Sequence, residues 1–190
     1  MKIGLFFGSF NPIHTGHLII ANYMANHTNL DRVWFVVSPH NPLKEKRDLI
    51  NVYDRLEMAK LATEHTSNIE VCDIELQLSQ PSYTINTLTY LREKYPQHQF
   101  ALIMGSDNLN SLRKWKNYEL ILRDYAIYVY PRPDDVVSDL CDHPSVTITH
   151  TPLMELSATF IRKSVQANKS IQFFTPDAVI DFIDSKNLYR

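Results

Sequence analysis

The chain has 190 residues, enough for one well-buried domain and short for two, so residues 1–190 are expected to fold as a single domain. A formal charge of −2 with a 44% apolar share excludes a general electrostatic grip on nucleic acid or an anionic membrane, and any phosphate the chain handles must meet a local cluster of basic groups. Cys72 and Cys141 stand apart, without a CxxC pair or a nearby histidine set, which speaks against a zinc site or a disulfide framework.

The opening apolar run, residues 3–7, stops at Gly8. It is too short for a signal peptide or a membrane span and reads as a first strand, with a cytoplasmic location as the default. Helical spacing follows over residues 16–26, then a strand over 33–37 and an irregular stretch over 38–50, rich in Pro and Lys. Residues 51–64 form the next helix, with Leu56, Ala59 and Leu61 gathered near one side. A strand over 69–72, a helix over 83–94 and a strand over 100–104 lead to a second irregular stretch, 106–117. A short helix over 118–122 and a strand over 126–130 precede a third, 131–144, which carries the acidic pair Asp134-Asp135 and no derivable role. A strand over 146–149 and helices over 159–167 and 176–185 complete the series. The alternation predicts an α/β fold, and the continuous apolar strands predict a Rossmann-like, doubly wound parallel sheet with helices on both faces.

Such sheets bind ligands beyond the carboxyl ends of their strands, so the loops after Phe7, Val37, Met104 and Thr149 should converge on one crevice. The chain has only four glycines; Gly8 and Gly16 fall in the first of these loops, and Gly105 directly ends a strand. Gly8-Ser9-Phe10 places backbone N–H groups where they can face an anion, and Pro12 stiffens the turn before a helix starts near Thr15. His14 and His17 are three apart, so at a helix start both imidazoles point to nearly one side. Read alone, His14 could equally cap a turn, His17 could pack against the sheet, or the two could be half of a metal site. Neither a GxGxxG nor a GxxxxGK loop is present, which argues against hydride and Walker-type chemistry. Near the other end, Ser157 and Thr159 open a helix with Arg162 one turn on, which suits a second phosphate cradle or, more plainly, an N-cap with a solvated Arg.

Together, Gly8-Ser9-Phe10-Asn11-Pro12 with His14-Thr15-Gly16-His17, and Leu156-Ser157-Ala158-Thr159-Phe160-Ile161-Arg162, resemble the two signatures of the nucleotidylyltransferase superfamily. Leu156 and Ala158 are mild departures that leave the hydroxyls and the Arg in place. Three further segments are similar to the bacterial nicotinate-nucleotide adenylyltransferase branch. They are Ser38-Pro39-His40-Asn41-Pro42-Leu43-Lys44, Pro81-Ser82-Tyr83-Thr84-Ile85-Asn86-Thr87-Leu88, and Gly105-Ser106-Asp107-Asn108-Leu109 followed by Leu112 and Trp115.

The resemblance implies ATP and nicotinate mononucleotide as substrates, joined by direct in-line attack on the α-phosphorus with loss of pyrophosphate. It implies ATP contacts at Gly8, Ser9, Phe10, His14, His17, Gly105, Ser157, Thr159 and Arg162. Mononucleotide contacts are implied at Asn11, His40, Lys44, Tyr83, Thr84, Asp107 and Trp115. His14, His17, Lys44 and Arg162 carry the catalysis in this reading, with His40 and Arg47 as weaker loop candidates that read equally as solvated groups. Trp115 offers a flat apolar face for a pyridine ring, and Thr84 with neighbouring N–H groups could receive a ring carboxylate; Trp115 roofing the core, Tyr83 as a packed aromatic and Asp107 as a helix N-cap are the plain alternatives. Mg²⁺ is expected to arrive on the triphosphate, since no dense carboxylate cluster is present to hold it alone. Relatives acting on nicotinamide mononucleotide, phosphopantetheine or glycerol phosphate share the first signature, and a non-catalytic nucleotide-binding module is the reading from a different class. Self-association is left open.

Overall fold

The computed structural model describes residues 1–39, 49–133 and 138–190. Among these, six strands form one parallel sheet: β1 (Lys2–Gly8), β2 (Arg32–Val37), β3 (Ile69–Cys72), β4 (Gln99–Gly105), β5 (Ala126–Tyr130) and β6 (Val146–Ile148), in the order β3-β2-β1-β4-β5-β6. Every neighbouring pair is parallel, so each connection must cross over the sheet. The strands are apolar on both sides because both faces are covered. In β1, Phe6 faces one core while Ile3 and Leu5 face the other, and in β4 Ala101 and Ile103 alternate with Phe100, Leu102 and Met104 in the same way.

The first core is closed by α1 (Thr15–His27), α2 (Val52–Thr63), α6 (Ala158–Gln166) and α7 (Asp177–Ser185). The second is closed by α3 (Thr84–Lys94), α4 (Ser106–Ser111) and α5 (Tyr118–Asp124). The winding therefore reverses between β1 and β4, and the predicted doubly wound architecture is the one observed, with strand and helix ends within two residues of expectation. One stretch differs. Residues 106–117, expected to be irregular, hold α4 and a single 3-10 turn, Leu112–Lys114, because Leu109 and Leu112 turn inward and are almost fully buried. A six-residue helix is too short to show a period. Among the described residues no helix is long and apolar enough to cross a membrane.

Candidate active site

At the point where the winding reverses, β1 and β4 lie side by side and end in Gly8 and Gly105. Both ends are crowded. A Cβ on Gly8 would lie 2.7 Å from the Phe10 ring, and one on Gly105 would lie 2.8 Å from Arg132 Nε and overlap the Asp107 carboxylate as well. Phe10 itself adopts a left-handed backbone, φ 44°. That conformation costs about 1–2 kcal/mol, and enclosing the ring, 2% exposed and edge-on to Phe6, Phe35 and His17, offsets it with roughly 2–3 kcal/mol of apolar burial.

His14 is the residue before α1, and its ring stacks on that of His17 with centroids 3.6 Å apart. The His14 backbone N–H donates to His17 Nδ1 at 3.3 Å, so Nδ1 is the acceptor and the proton of a neutral His17 resides on Nε2. His14 does cap the helix, and His17 does pack against aromatic rings; these plain roles coexist with a place on the crevice. Burial, then the His14 and Arg132 charges, hold the pKa of His17 well below 6.5. His14 is pushed down to about 4, by burial first and by Arg132 second. His14 Nδ1 is buried and makes no hydrogen bond of regular geometry among the described residues.

The depressed His14 pKa has a stability consequence. Above pH 6.5 both folded and unfolded chains carry neutral His14; as pH falls toward 4 only the unfolded chain takes the proton, and stability is lost. The full loss is on the order of 3 kcal/mol. The Tm is therefore expected to drop between pH 6.5 and 4, with a shallower slope in His14→Gln; identical slopes in the two proteins would remove this assignment.

The second signature segment reaches the first. Arg162, half-buried on α6, donates from Nη1 to the Asn11 carbonyl at 2.9 Å and from Nη2 to Thr159 Oγ1 at 3.4 Å, so it is not a solvated surface cation. Ser157 is the α6 N-cap, its Oγ accepting from Phe160 N at 3.2 Å. The Asn11 side chain is 3% exposed and accepts from Tyr189 Oη at 2.9 Å. Thr175 Oγ1 donates to the Ile13 carbonyl, and the carbonyls of Phe173 and Phe174 receive Thr15 Oγ1 and Thr15 N. The segment from Asn11 to Thr15 is thus laced to the last third of the chain.

On the other side of the crevice, Asp107 lies in the first turn of α4 rather than at its N-cap, which is Gly105. Its carboxylate pairs with Arg132 Nε at 3.0 Å. Thr84 opens α3, with Tyr83 just before it, and Lys116 Nζ sits 4.5 Å over the Tyr83 ring, which brings the segment around Trp115 beside Tyr83. Trp115 and Tyr83 are both partly exposed and packed on the second core. His40, Lys44 and Arg47 lie outside the described residues.

Besides Tyr189, four residues escaped the sequence reading. Arg132 lies two residues past the end of β5, and its charge acts on both histidines; its signal was its position just beyond a strand. Lys116 follows Trp115 and was hidden by an ordinary surface context. Glu75, 2% exposed, accepts from Thr87 Oγ1 at 2.8 Å, its backbone carbonyl receives Gln80 Nε2, and burial pushes its carboxyl pKa up. Arg55, 1% exposed, donates to the Ser9 carbonyl. Among the described residues no group of three or more His, Cys, Asp or Glu is placed to hold a metal ion.

The cytidylyltransferase-like family model matches residues 5–164, which contain both histidines, Gly105, Asp107 and Arg162. The chain belongs to the cytidylyltransferase-like family. Within that family it is 52% identical over 192 residues to a protein of Flavobacterium psychrophilum and 53% identical over 194 residues to one of Flavobacterium johnsoniae, with 100% of each chain covered. Both relatives bear the name "Probable nicotinate-nucleotide adenylyltransferase". In fold, this cytidylyltransferase-like chain is similar to the Plasmodium falciparum nicotinic acid mononucleotide adenylyltransferase complexed with NaAD, at a TM-score of 0.83 and 21% identity, covering 99% of this chain and 97% of that one.

Proposed function

We propose that this chain transfers the adenylyl group of ATP to nicotinate mononucleotide, forming nicotinate adenine dinucleotide and pyrophosphate, a step of NAD biosynthesis carried out in the cytoplasm by residues 1–190 acting as one domain. The observation that carries this reading is the Arg162 to Asn11 hydrogen bond, which joins the two phosphate-type segments into one cradle beside the stacked histidines. The names of the Flavobacterium relatives support the acceptor.

In the reaction a phosphate oxygen of the mononucleotide attacks the α-phosphorus; that P–O bond forms as the bond to the β-phosphate oxygen breaks, and pyrophosphate leaves. The attacking phosphate is already ionised at neutral pH, so no general base is needed and no covalent intermediate forms. The chain's work is to hold two anions in line and to neutralise charge, which can contribute on the order of 7 kcal/mol or more. Neutral His17 donates from Nε2 to the α-phosphate oxygen, with His14 beside it. The backbone at Gly8, Ser9, Phe10 and Gly105 lines the nucleotide. Ser157, Thr159 and Arg162 receive the β- and γ-phosphates, and Arg132, steadied by Asp107, adds a cation from the opposite wall. Lys44 supplies a further cation for the phosphates, and His40 a further donor for the mononucleotide. Asn11 acts as a strut between Tyr189 and Arg162 rather than as a direct contact. Thr84, Tyr83 and Trp115 receive the pyridine ring, and Asp107 the ribose. Mg²⁺ would enter with the nucleotide rather than on a preformed carboxylate cluster, none being present among the described residues, and would supply charge offset beside Arg162 and Arg132.

The test is pyrophosphate release from ATP with nicotinate mononucleotide, nicotinamide mononucleotide and phosphopantetheine offered separately. Release is expected with the first at a kcat/KM at least tenfold above either of the others. Preference for another acceptor would reassign the substrate, and silence with all three despite ATP binding would leave a binding module.

A further inference from the structure

Arg55 is the bulkiest of the fully buried side chains among the described residues, and nothing in the reaction above uses it. It sits in the first turn of α2, where its neighbours Tyr53 and Asp54 point outward. Its donors go to four backbone carbonyls: Nη1 to Ser9 at 2.5 Å and to Ser38 at 2.8 Å, Nη2 to Pro39 at 2.9 Å, and Nε to Ile50 at 3.3 Å. Those carbonyls belong to the loop after β1, the end of β2 and the approach to α2. One side chain therefore ties the nucleotide loop to both margins of the segment after β2.

Four of the five N–H donors have carbonyl partners, but the charge has no counter-charge. No carboxylate among the described residues pairs with Arg55; the adjacent Asp54 turns instead to Lys186 Nζ at 4.0 Å. Burial lowers the pKa of the guanidinium, the effect expected of a cation enclosed without a counter-charge. A buried ion is tolerated when something of opposite sign completes it.

The direction from which that charge arrives is marked by the peptide groups. The Ser9 carbonyl, held by Arg55, shares its peptide plane with the Phe10 N–H. The Gly8 carbonyl, which receives Ser38 N at 2.9 Å, shares its plane with the Ser9 N–H. Loading the carbonyl end of a peptide strengthens its N–H as a donor, and here two successive N–H groups at the exit of a parallel strand are strengthened together.

We propose that Arg55 is a positioning residue whose counter-charge is the phosphate chain of the bound nucleotide, acting through the polarised Ser9 and Phe10 peptide groups rather than by contact. The proposal rests on the adenylyl-transfer reading for the identity of the anion. It makes anion binding complete an electrostatic pair inside the protein, so the ligand stabilises the fold through Arg55 as well as through the groups it touches.

The experiment compares the native chain with Arg55→Gln and Arg55→Lys by thermal melting, with and without inorganic pyrophosphate, and by the KM for ATP. The native chain is expected to gain Tm with pyrophosphate. Arg55→Gln should lose at least half of that gain and raise the ATP KM tenfold or more. Arg55→Lys, which keeps the charge and loses the planar fork, should fall between the two. A purely structural role would lower the starting Tm of both variants and leave the pyrophosphate increment whole, and that result overturns the proposal. Should the variants fail to fold, the native chain with ¹⁵N-labelled arginine decides: the Arg55 Nε resonance moves on pyrophosphate titration if the proposal holds and stays in place at saturation if it does not. A native chain that neither responds to pyrophosphate nor turns over overturns the functional reading too, whereas normal native turnover with an unaffected Arg55→Gln overturns this inference alone.

Discussion

His17→Ala is expected to lower kcat by 100- to 1000-fold, the loss of about 3–4 kcal/mol of transition-state stabilisation, with the ATP KM changed little. The size follows from the geometry. Nδ1 is engaged by the His14 backbone N–H, which leaves Nε2–H as the donor, and the enclosed ring stays neutral, so it can donate at any working pH without first gaining a proton. The variant also loses the acceptor for the His14 N–H, which costs about 1 kcal/mol of helix-start stability and leaves the chain folded. His17→Asn, with a shorter carboxamide donor, should recover part of the rate. Turnover within threefold of the parent in the Ala variant would remove His17 from the chemistry.

Arg162→Ala is expected to reduce kcat/KM for ATP by about 100-fold, in line with the loss of charge-assisted hydrogen bonds worth roughly 1.5–3 kcal/mol each. The same substitution strips the Asn11 carbonyl of its donor, so the first signature segment loses its brace as well as its neighbouring cation. Arg162→Lys restores the charge without the fork and should return less than a tenth of the lost activity. Steady-state kinetics with each substrate varied in turn provide the check. A parallel loss for both substrates, or full recovery with Lys, would place Arg162 outside the ATP half of the site.

Much of the architecture was legible because parallel strands covered on both faces are written as unbroken apolar runs; residues 126–130 were placed to the residue on that ground. α4 was not, since its polar sequence hides two inward leucines and it is capped by a glycine rather than by a side-chain acceptor. The resemblance set the two signature segments at one site, and Arg162 of the second does reach the Asn11 carbonyl of the first. Arg132 was passed over because the rule that ligands gather beyond strand ends was applied to four loops and not to the one after Tyr130. Arg55, Glu75 and Tyr189 left no trace of that kind. In sequence, Arg55 shares a helix face with Met58 and Ala59, but a cation there has no visible partner, and its burial depends on carbonyls contributed by residues up to 46 positions away. Tyr189 reaches across 178 positions to Asn11, a separation that no local pattern encodes.

The two hydrophobic clusters divide the site along the plane of the sheet. α1 and α6, which carry His17 and Arg162, rest on one; α3 and α4, which carry Thr84 and Asp107, rest on the other. Close-packed interiors transmit a change of side-chain volume to their own neighbours and poorly through an intact layer of paired backbone. A change of side-chain volume beneath α3 and α4 is therefore expected to be felt around Thr84 and Asp107 before it is felt at His17 and Arg162.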